Sequence, residues 1–178
     1  MELLSDELLL HITQYVPVKD QFLTLQHINK AFHRVVWDNL NRCLLLGNQS
    51  WLKNEHFKSL LSDNNSIVEL SLQNCYWIHS SSLKPLKACV NLRNLNLLGC
   101  CFAYKTILHI LSGVASLDGL ALTVNYEFIV MIGRHFLKEP STKCACKLSK
   151  LHLQFEKPAS PFNRSVSDAV ESFTNGMM

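Results

Sequence analysis

Leu-Arg-Asn-Leu-Asn-Leu-Leu-Gly-Cys, residues 92–100, follows the frame L-x-x-L-x-L-x-x-C. Three other stretches follow the same frame with small departures, at residues 67–75, 117–125 and 148–156. In chain order, the first three copies of the frame start at equal intervals, and the interval before the fourth copy is longer. A fixed period of this length is the signature of a leucine-rich-repeat solenoid.

The leucines of the frame predict one short strand per repeat, because alternate side chains of a strand face opposite sides. Both leucines of a pair can then point into one core. The pairs are Leu70/Leu72, Leu95/Leu97, Leu120/Leu122 and Leu151/Leu153. A single repeat cannot bury this face alone, so neighbouring repeats must stack.

The ninth position of the frame is Cys75, Cys100, Asn125 and Glu156 in turn. A Cys or Asn there is predicted to turn inward and hydrogen-bond loop backbone that would otherwise lack a partner. A glutamate suits that task poorly. The last repeat is therefore predicted to be a frayed edge or a terminal repeat, and the chain to be a shortened form or a fragment of a protein with more repeats.

Apolar residues at helical spacing between the strands predict the helical halves of the repeats, at residues 83–89, 107–114 and 128–136. An insertion after the third half, with Cys144 in its loop, accounts for the longer interval. Residues 43–66 are predicted to form a linker and capping unit, with Leu44 to Leu46 as an opening strand that covers the edge of the first repeat and a helix over 51–61 that breaks at Asp63-Asn64-Asn65.

The strand positions between the leucines face away from the core. In a horseshoe they line the concave face, where such proteins usually bind partners, although they could equally be only a solvated face. They are Glu69, Ser71, Gln73, Asn94, Asn96, Leu98, Gly119, Ala121, Thr123, Lys150, His152 and Gln154. Small or neutral central positions suit a protein partner better than a phosphate-rich one.

The chain ahead of Leu40 has a different character, that of three short amphipathic helices. Ser5 is a good N-cap, and Asp6 and Glu7 complement the positive end of a helix dipole. Apolar positions then follow at helical spacing: Leu8, Leu9, Ile12, Tyr15 and Val16. Pro17 is predicted to end this helix, Asp20 to cap a second helix, and a third to begin near Asn29.

The order and spacing of these residues resemble the F-box, whose pattern is roughly L-P-x-E-[LI]-L-x-x-I followed by a turn with Asp and a V-C-K-x-[WF] stretch. The matching residues are Leu4, Ser5, Glu7, Leu8, Leu9, Ile12, Pro17, Asp20, Ile28, Asn29, Lys30, Phe32, Asp38 and Leu40. Ser5 stands where the family usually has proline, and Asn29 where it usually has cysteine. The tandem order of this region and the repeats is similar to that of F-box/leucine-rich-repeat proteins.

The resemblance implies an α+β chain, with a three-helix F-box over residues 1–42 and a short solenoid of leucine-rich repeats over 67–156. After Glu156 the repeat pattern stops, and the composition predicts an irregular tail over 157–178. The resemblance also implies a substrate-recognition subunit of a Skp–cullin–F-box ubiquitin ligase, which docks on the Skp adaptor and through it on the cullin. The adaptor-docking candidates are Leu4, Ser5, Leu8, Ile12, Pro17, Leu25 and Phe32, some of which could instead serve the bundle core. The substrate-binding candidates are Glu69, Ser71, Gln73, Asn94, Asn96, Leu98, Thr123, Lys150 and His152. Two alternatives remain: a repeat scaffold without a ligase, and a decoy that occupies the adaptor unproductively.

Composition and motifs argue against other classes. The net charge of +3 comes without a dense basic run, which disfavours nucleic acid. No apolar run approaches the ~20 residues that span a bilayer. Seven scattered cysteines without a signal peptide indicate a reducing compartment, the cytoplasm or nucleus. Cys144-x-Cys146 lacks the second spaced pair of a zinc site, and no catalytic or phosphate-binding motif occurs, so neither a metal, a cofactor nor enzyme activity is predicted.

Overall fold

The computed structural model describes residues 4–40, 43–63, 66–100, 102–138 and 146–156, in which helices and strands are mixed. The α-helices are α1 (Asp6–Thr13), α2 (Val18–Leu23), α3 (Lys30–Leu40), α4 (Asn54–Asp63), α5 (Tyr104–Gly113) and α6 (Tyr126–Lys138). The strands are β1 (Cys43–Leu45), β2 (Glu69–Ser71), β3 (Asn94–Leu97), β4 (Gly119–Val124) and β5 (Lys150–Phe155). Two 3₁₀ segments, Leu25–His27 and Ser80–Ala88, complete the described elements.

The strands form one parallel sheet in chain order, from β1 to β5. Its register aligns one leucine from every strand in a single row: Leu44, Leu70, Leu95, Leu120 and Leu151. The next inward row aligns Leu97 with Leu122 and Leu153. The structure therefore confirms the mixed helix and strand fold with a parallel sheet that the repeat frame predicts.

The inward leucines and the helical segments bury one continuous core. It extends from Phe22 and Val36 in the N-terminal helices to Leu148 ahead of β5. Leu151 and Leu153 are only half-buried, because β5 has a neighbouring strand on one side in the described part of the chain. Along its whole length β5 pairs with β4, so the strand itself is not frayed.

The ninth positions of the first two repeats behave as predicted. The Cys75 thiol donates to the carbonyl oxygen of Leu46 at 3.1 Å, and the Cys100 thiol donates to that of Leu72 at 3.0 Å. Each thiol therefore gives a second donor to a carbonyl in the preceding unit, since Leu46 also accepts from the Gln49 N–H and Leu72 from the Cys75 N–H. The residue before each of these cysteines has a left-handed backbone, with φ of 60° at Asn74 and 72° at Gly99.

The prediction that Asn125 turns inward is wrong, although its predicted hydrogen bond to the backbone forms. Its side chain is exposed, and its Oδ1 accepts a hydrogen bond from the backbone N–H of Phe128 at 2.8 Å. Helix α6 begins directly after Asn125, so the unpaired N–H groups of its first turn take this side chain as their N-cap.

The three N-terminal helices lie close to their predicted positions, with two corrections. Helix α1 starts after its N-cap Ser5, as predicted, but ends at Thr13, so Pro17 does not terminate it. Asp20 does not cap α2, which begins after Pro17. The Pro17 carbonyl accepts from the N–H groups of Asp20 and Gln21 at 2.9 and 3.0 Å, since proline is compatible with a helix start. Helix α3 begins near Asn29 as predicted, and Asn29 Oδ1 accepts a hydrogen bond from the Phe32 N–H at 2.9 Å.

In the segment between the two regions, β1 and α4 supply the predicted opening strand and short helix. Asn64, Asn65, Cys144 and the tail over 157–178 lie outside the described residues. In the ranges that the structure describes, no helix combines the length and the apolar character needed to cross a membrane.

Candidate partner-binding surfaces

The first surface is an apolar stripe on the outer side of α1, formed by Leu4, Leu8 and Ile12. These side chains are 52%, 47% and 40% exposed. Leu9, about 100° from Leu8 around the helix, is 4% exposed and faces the interior. Leu8 and Ile12 lie four residues apart in α1 and therefore share one face of it. Leu4 lies just ahead of the N-cap Ser5. The neighbouring elements of the described chain leave all three side chains exposed.

Polar contacts at both ends hold α1 against the rest of the chain. At its C-terminal end, Nε2 of the buried Gln21 donates to the carbonyl oxygens of Thr13 at 2.8 Å and Val16 at 2.6 Å. At its N-terminal end, Arg34 of α3 forms an ion pair with Asp6. The stripe is therefore carried by a helix with a defined position.

The other predicted adaptor-docking residues differ in exposure. Ser5 and Pro17 are exposed near the two ends of α1, whereas Leu25 and Phe32 are half-buried between the helices. Leu25 packs against the apolar core. Two exposed apolar residues outside the set of docking candidates, Tyr15 and Ile28, extend the apolar surface of this region. Helical periodicity assigns Tyr15 and Ile28 to apolar faces, but it does not show whether those faces are buried or exposed.

The second surface is the side of the sheet opposite the leucines, the predicted concave face. Register places its side chains in rows across the strands. One row contains Glu69, Asn94, Gly119 and Lys150; the next contains Leu45, Ser71, Asn96, Ala121 and His152; a third pairs Thr123 with Gln154. A shallow depression of about 740 Å³ lies over the first two rows and also touches Gln73. Leu98 and Thr123 lie beyond it, near the ends of β3 and β4.

Hydrogen bonds order the polar side chains on the concave face. Asn94 Nδ2 donates to Glu69 Oε1 at 2.9 Å, and the backbone N–H of Leu98 donates to Asn96 Oδ1 at 3.0 Å. Gly119 leaves room for Asn94, since a Cβ at Gly119 would lie 2.4 Å from Asn94 Oδ1. The sequence does not reveal this close approach, because the glycine is explained only by a neighbour in the preceding repeat.

The main addition to the predicted concave face is Leu45, which is 60% exposed on β1. The opening strand is predicted only to cover the edge of the first repeat, and its register shows that Leu45 belongs to the same row as Ser71. The face therefore runs from an apolar corner at Leu45, across small polar residues, to the cationic Lys150 and the imidazole of His152 on β5.

Four cysteines of the described residues are buried and form no disulfide: Cys75, Cys89, Cys100 and Cys146. Burial raises the pKa of Cys89 to about 11 and also raises the pKa of Cys75. Both thiols are thus protonated at neutral pH, a form that is neither a nucleophile nor a metal ligand. Within the ranges described, no group of three or more His, Cys, Asp or Glu side chains is arranged to hold a metal ion.

The sequence model of the family described as F-box/LRR-repeat protein 18, LRR, matches residues 57–157, more than half of the chain. The chain belongs to this F-box/LRR-repeat family. The match begins within α4, after the N-terminal helices and β1, and it includes β2 to β5, which carry most of the concave face. The recognition of an F-box/leucine-rich-repeat protein from its sequence is therefore confirmed.

The human F-box/LRR-repeat protein 18 is 27% identical to the chain over 149 residues. The alignment covers 83% of the chain and 20% of the human protein, so the chain spans about a fifth of the length of this relative. Among solved structures, the tropomodulin C-terminal domain of Caenorhabditis elegans aligns with a TM-score of 0.49 and 12% identity, over 89% of the chain and 90% of that domain.

Proposed function

We propose that the chain is a non-catalytic substrate-recognition subunit of a Skp–cullin–F-box ubiquitin ligase. Membership of the F-box/LRR-repeat family supports this class of function. The observation that carries the proposal is the exposed apolar stripe of Leu4, Leu8 and Ile12, on a helix whose sequence resembles the start of an F-box.

Exposed apolar side chains that are grouped on one surface are a feature of binding sites. The stripe on the N-terminal helices is such a group. In the proposal, the Skp adaptor covers the stripe together with the neighbouring Ser5 and Pro17. Leu25 and Phe32, which are half-buried, pack in the bundle and present their remaining exposed atoms to the adaptor.

The concave face is the proposed site for a protein substrate. Its predicted contact residues supply hydrogen-bond donors and acceptors over the central strands, with opposite charges at Glu69 and Lys150. Holding a substrate there, while the N-terminal helices hold the adaptor, raises the effective concentration of substrate near the ubiquitin-charged conjugating enzyme. The chain itself contributes no chemical step.

We also propose that the protein works in the cytoplasm or the nucleus. Cys75, Cys89, Cys100 and Cys146 are buried and form no disulfide, as expected for a reducing compartment. This is also where the proposed adaptor and cullin partners would act. Imaging of the tagged protein tests this part of the proposal, and a secreted protein would contradict it.

The test of adaptor docking is capture of purified Skp adaptor by the chain and by the variants Leu8→Asp and Ile12→Asp. A charge in the stripe should reduce capture at least about tenfold, because burying an unpaired carboxylate against an apolar partner is costly. Leu137→Asp is the matched control, since Leu137 is an exposed leucine of α6, far along the chain from the stripe. Circular dichroism verifies that all variants fold.

The outcomes also separate the two alternatives. A folded parent chain that does not capture the adaptor contradicts the proposal and favours a repeat scaffold. Capture followed by ubiquitin transfer in a reconstituted ligase supports a substrate receptor. Capture without transfer to any co-purifying protein favours a decoy that occupies the adaptor.

A further inference from the structure

The ninth positions of the repeat frame change their role along the solenoid. In the first two repeats, Cys75 and Cys100 are buried and bond to the preceding repeat. In the third and fourth repeats, Asn125 and Glu156 are exposed. Both line the same cavity of about 380 Å³, at the carboxyl ends of β4 and β5.

The walls of this cavity come from separate parts of the fold. Phe102 and Tyr104 come from the start of α5, Thr123 from β4, and Glu127, Phe128 and Met131 from α6. The volume lies at the lower end of the range for ligand sites. It is large enough for one long side chain of a binding partner, with room for part of its backbone.

The charge of the lining selects the kind of side chain. Its acidic groups are the carboxylates of Glu127 and Glu156, and no Lys, Arg or His of the described residues lines the cavity. Carboxylates next to aromatic rings form a favourable environment for a cation, through charge-assisted hydrogen bonds and cation–π contact. A guanidinium fits this lining better than an ammonium, because it is planar, weakly hydrated and stacks on aromatic rings.

Two of the polar groups already have structural roles that keep the cavity in shape. Thr123 Oγ1 accepts a hydrogen bond from the Gly99 N–H at 2.7 Å, and Asn125 Oδ1 accepts from the Phe128 N–H at 2.8 Å. These bonds fix the end of β4 and the start of α6. Glu127 lies in the first turn of α6, at the positive end of the helix dipole.

We propose that this cavity binds an arginine side chain of a protein partner, as a site separate from the α1 stripe and from the depression on the concave face. The proposal does not depend on adaptor docking or on ligase function. In the bound state the guanidinium pairs with Glu127 and Glu156, and its aliphatic stem packs against Phe102, Tyr104 and Met131.

The test uses the full chain labelled with ¹⁵N and titrated with N-acetyl-arginine amide, followed by amide chemical shifts in NMR spectra. N-acetyl-citrulline amide is the matched probe, because it has nearly the same shape and no charge. Saturable shifts should centre on the amides of Thr123, Asn125, Glu127 and Glu156. The neutral probe should bind about fivefold more weakly, as expected for the loss of one partly exposed ion pair.

Variants assign the effect to the carboxylates. Glu127→Gln combined with Glu156→Gln should weaken binding of the arginine probe about fivefold or more and leave binding of the citrulline probe unchanged. Glu55→Gln is the matched control, because Glu55 also lies in the first turn of a helix, α4, and does not line the cavity. It should leave both titrations unchanged.

Several results overturn the proposal. Equal affinity for the two probes would show that charge is not recognised, and shifts outside the cavity would show a different site. No shift with either probe would mean that the cavity is closed or already occupied in solution. Since the two probes are compared on the parent chain, the test stands even where a variant fails to fold.

Discussion

Helices α1 and α5 carry the same kind of apolar pattern but bury it to different extents. In α5, the apolar residues Ile107, Ile110 and Leu111 are all buried. In α1, Leu9 is buried, whereas Leu8 and its neighbour one turn later, Ile12, are largely exposed. The two helices have nearly the same length, so length does not explain the difference.

Their surroundings explain it. Helix α5 packs against the Ser80–Ala88 segment and α6 and contributes to the core under the sheet. The main contact of α1 is with α3, and the Gln21 side chain of α2 contacts its C-terminal end. Periodicity of apolar residues therefore indicates a helix with an apolar face, while the number of neighbouring elements determines how much of that face is covered. An uncovered face such as that of α1 is available to a partner.

The largest difference in the free energy of unfolding is expected when one leucine of each of the two helices is truncated to alanine. Leu111→Ala should lower the free energy of unfolding by about 3 kcal/mol, because it opens a cavity in the core. Leu8→Ala should lower it by less than about 0.5 kcal/mol, as for an exposed site. Urea unfolding followed by circular dichroism measures both. Similar losses in the two variants would contradict the comparison.

The next effect concerns the polar contacts that hold α1 in place. Gln21→Ala should cost about 2 kcal/mol, because it leaves the carbonyls of Thr13 and Val16 without their side-chain donor in a largely buried site. Gln14→Ala, in an exposed residue at the end of α1, is the control and should have little effect. Equal unfolding midpoints for the two variants would mean that α1 is held by its apolar contacts instead.

In the repeats, each hydrogen bond from a buried cysteine thiol should contribute less to the free energy of unfolding than the Gln21 side chain does. Cys100→Ala removes the thiol donor to the Leu72 carbonyl and should cost about 1 kcal/mol. Cys100→Ser keeps a donor at the same place and should cost less than the alanine variant, if the hydrogen bond rather than the sulfur volume matters. The reverse order of the two urea midpoints would assign the stabilisation to packing of the sulfur.

The smallest effect is expected at the ion pair between α1 and α3. Both side chains are more than half exposed, at 53% for Asp6 and 60% for Arg34. Asp6→Asn should therefore change the free energy of unfolding by no more than about 0.5 kcal/mol. Glu7→Gln removes a charge from the same helical turn and controls for the helix dipole. A loss of several kcal/mol in Asp6→Asn alone would show that this pair, not Gln21, positions α1.

Much of the repeat region could be predicted from the sequence because its signals are local and repeated. The leucine frame predicts the strands and their register, and Cys75 and Cys100 predict the inward hydrogen bonds. The prediction that Asn125 turns inward fails because two roles compete for its side chain, and the start of α6 lies closer than the preceding repeat. A helix boundary shifted by a few residues thus changes the role of one side chain.

The sites were harder to predict, since they depend on contacts between distant residues. The exposure of Leu45 depends on how β1 pairs with β2. The need for a glycine at position 119 depends on the Asn94 side chain, which a Cβ there would approach too closely. The cavity that Asn125 lines joins residues that lie far apart in the sequence, from Phe102 to Glu156. Its one signal in the sequence is that the last two ninth positions are not cysteines.

The buried thiols described above can also be used to detect local opening of the solenoid. Cys75, Cys89 and Cys100 lie in successive parts of the first two repeats and are shielded from reagents while the repeats stay folded. A thiol reagent at neutral pH can modify them only after local unfolding exposes the sulfur. Mass spectrometry of the modified peptides would then read the opening rate at each cysteine separately, without any engineered label.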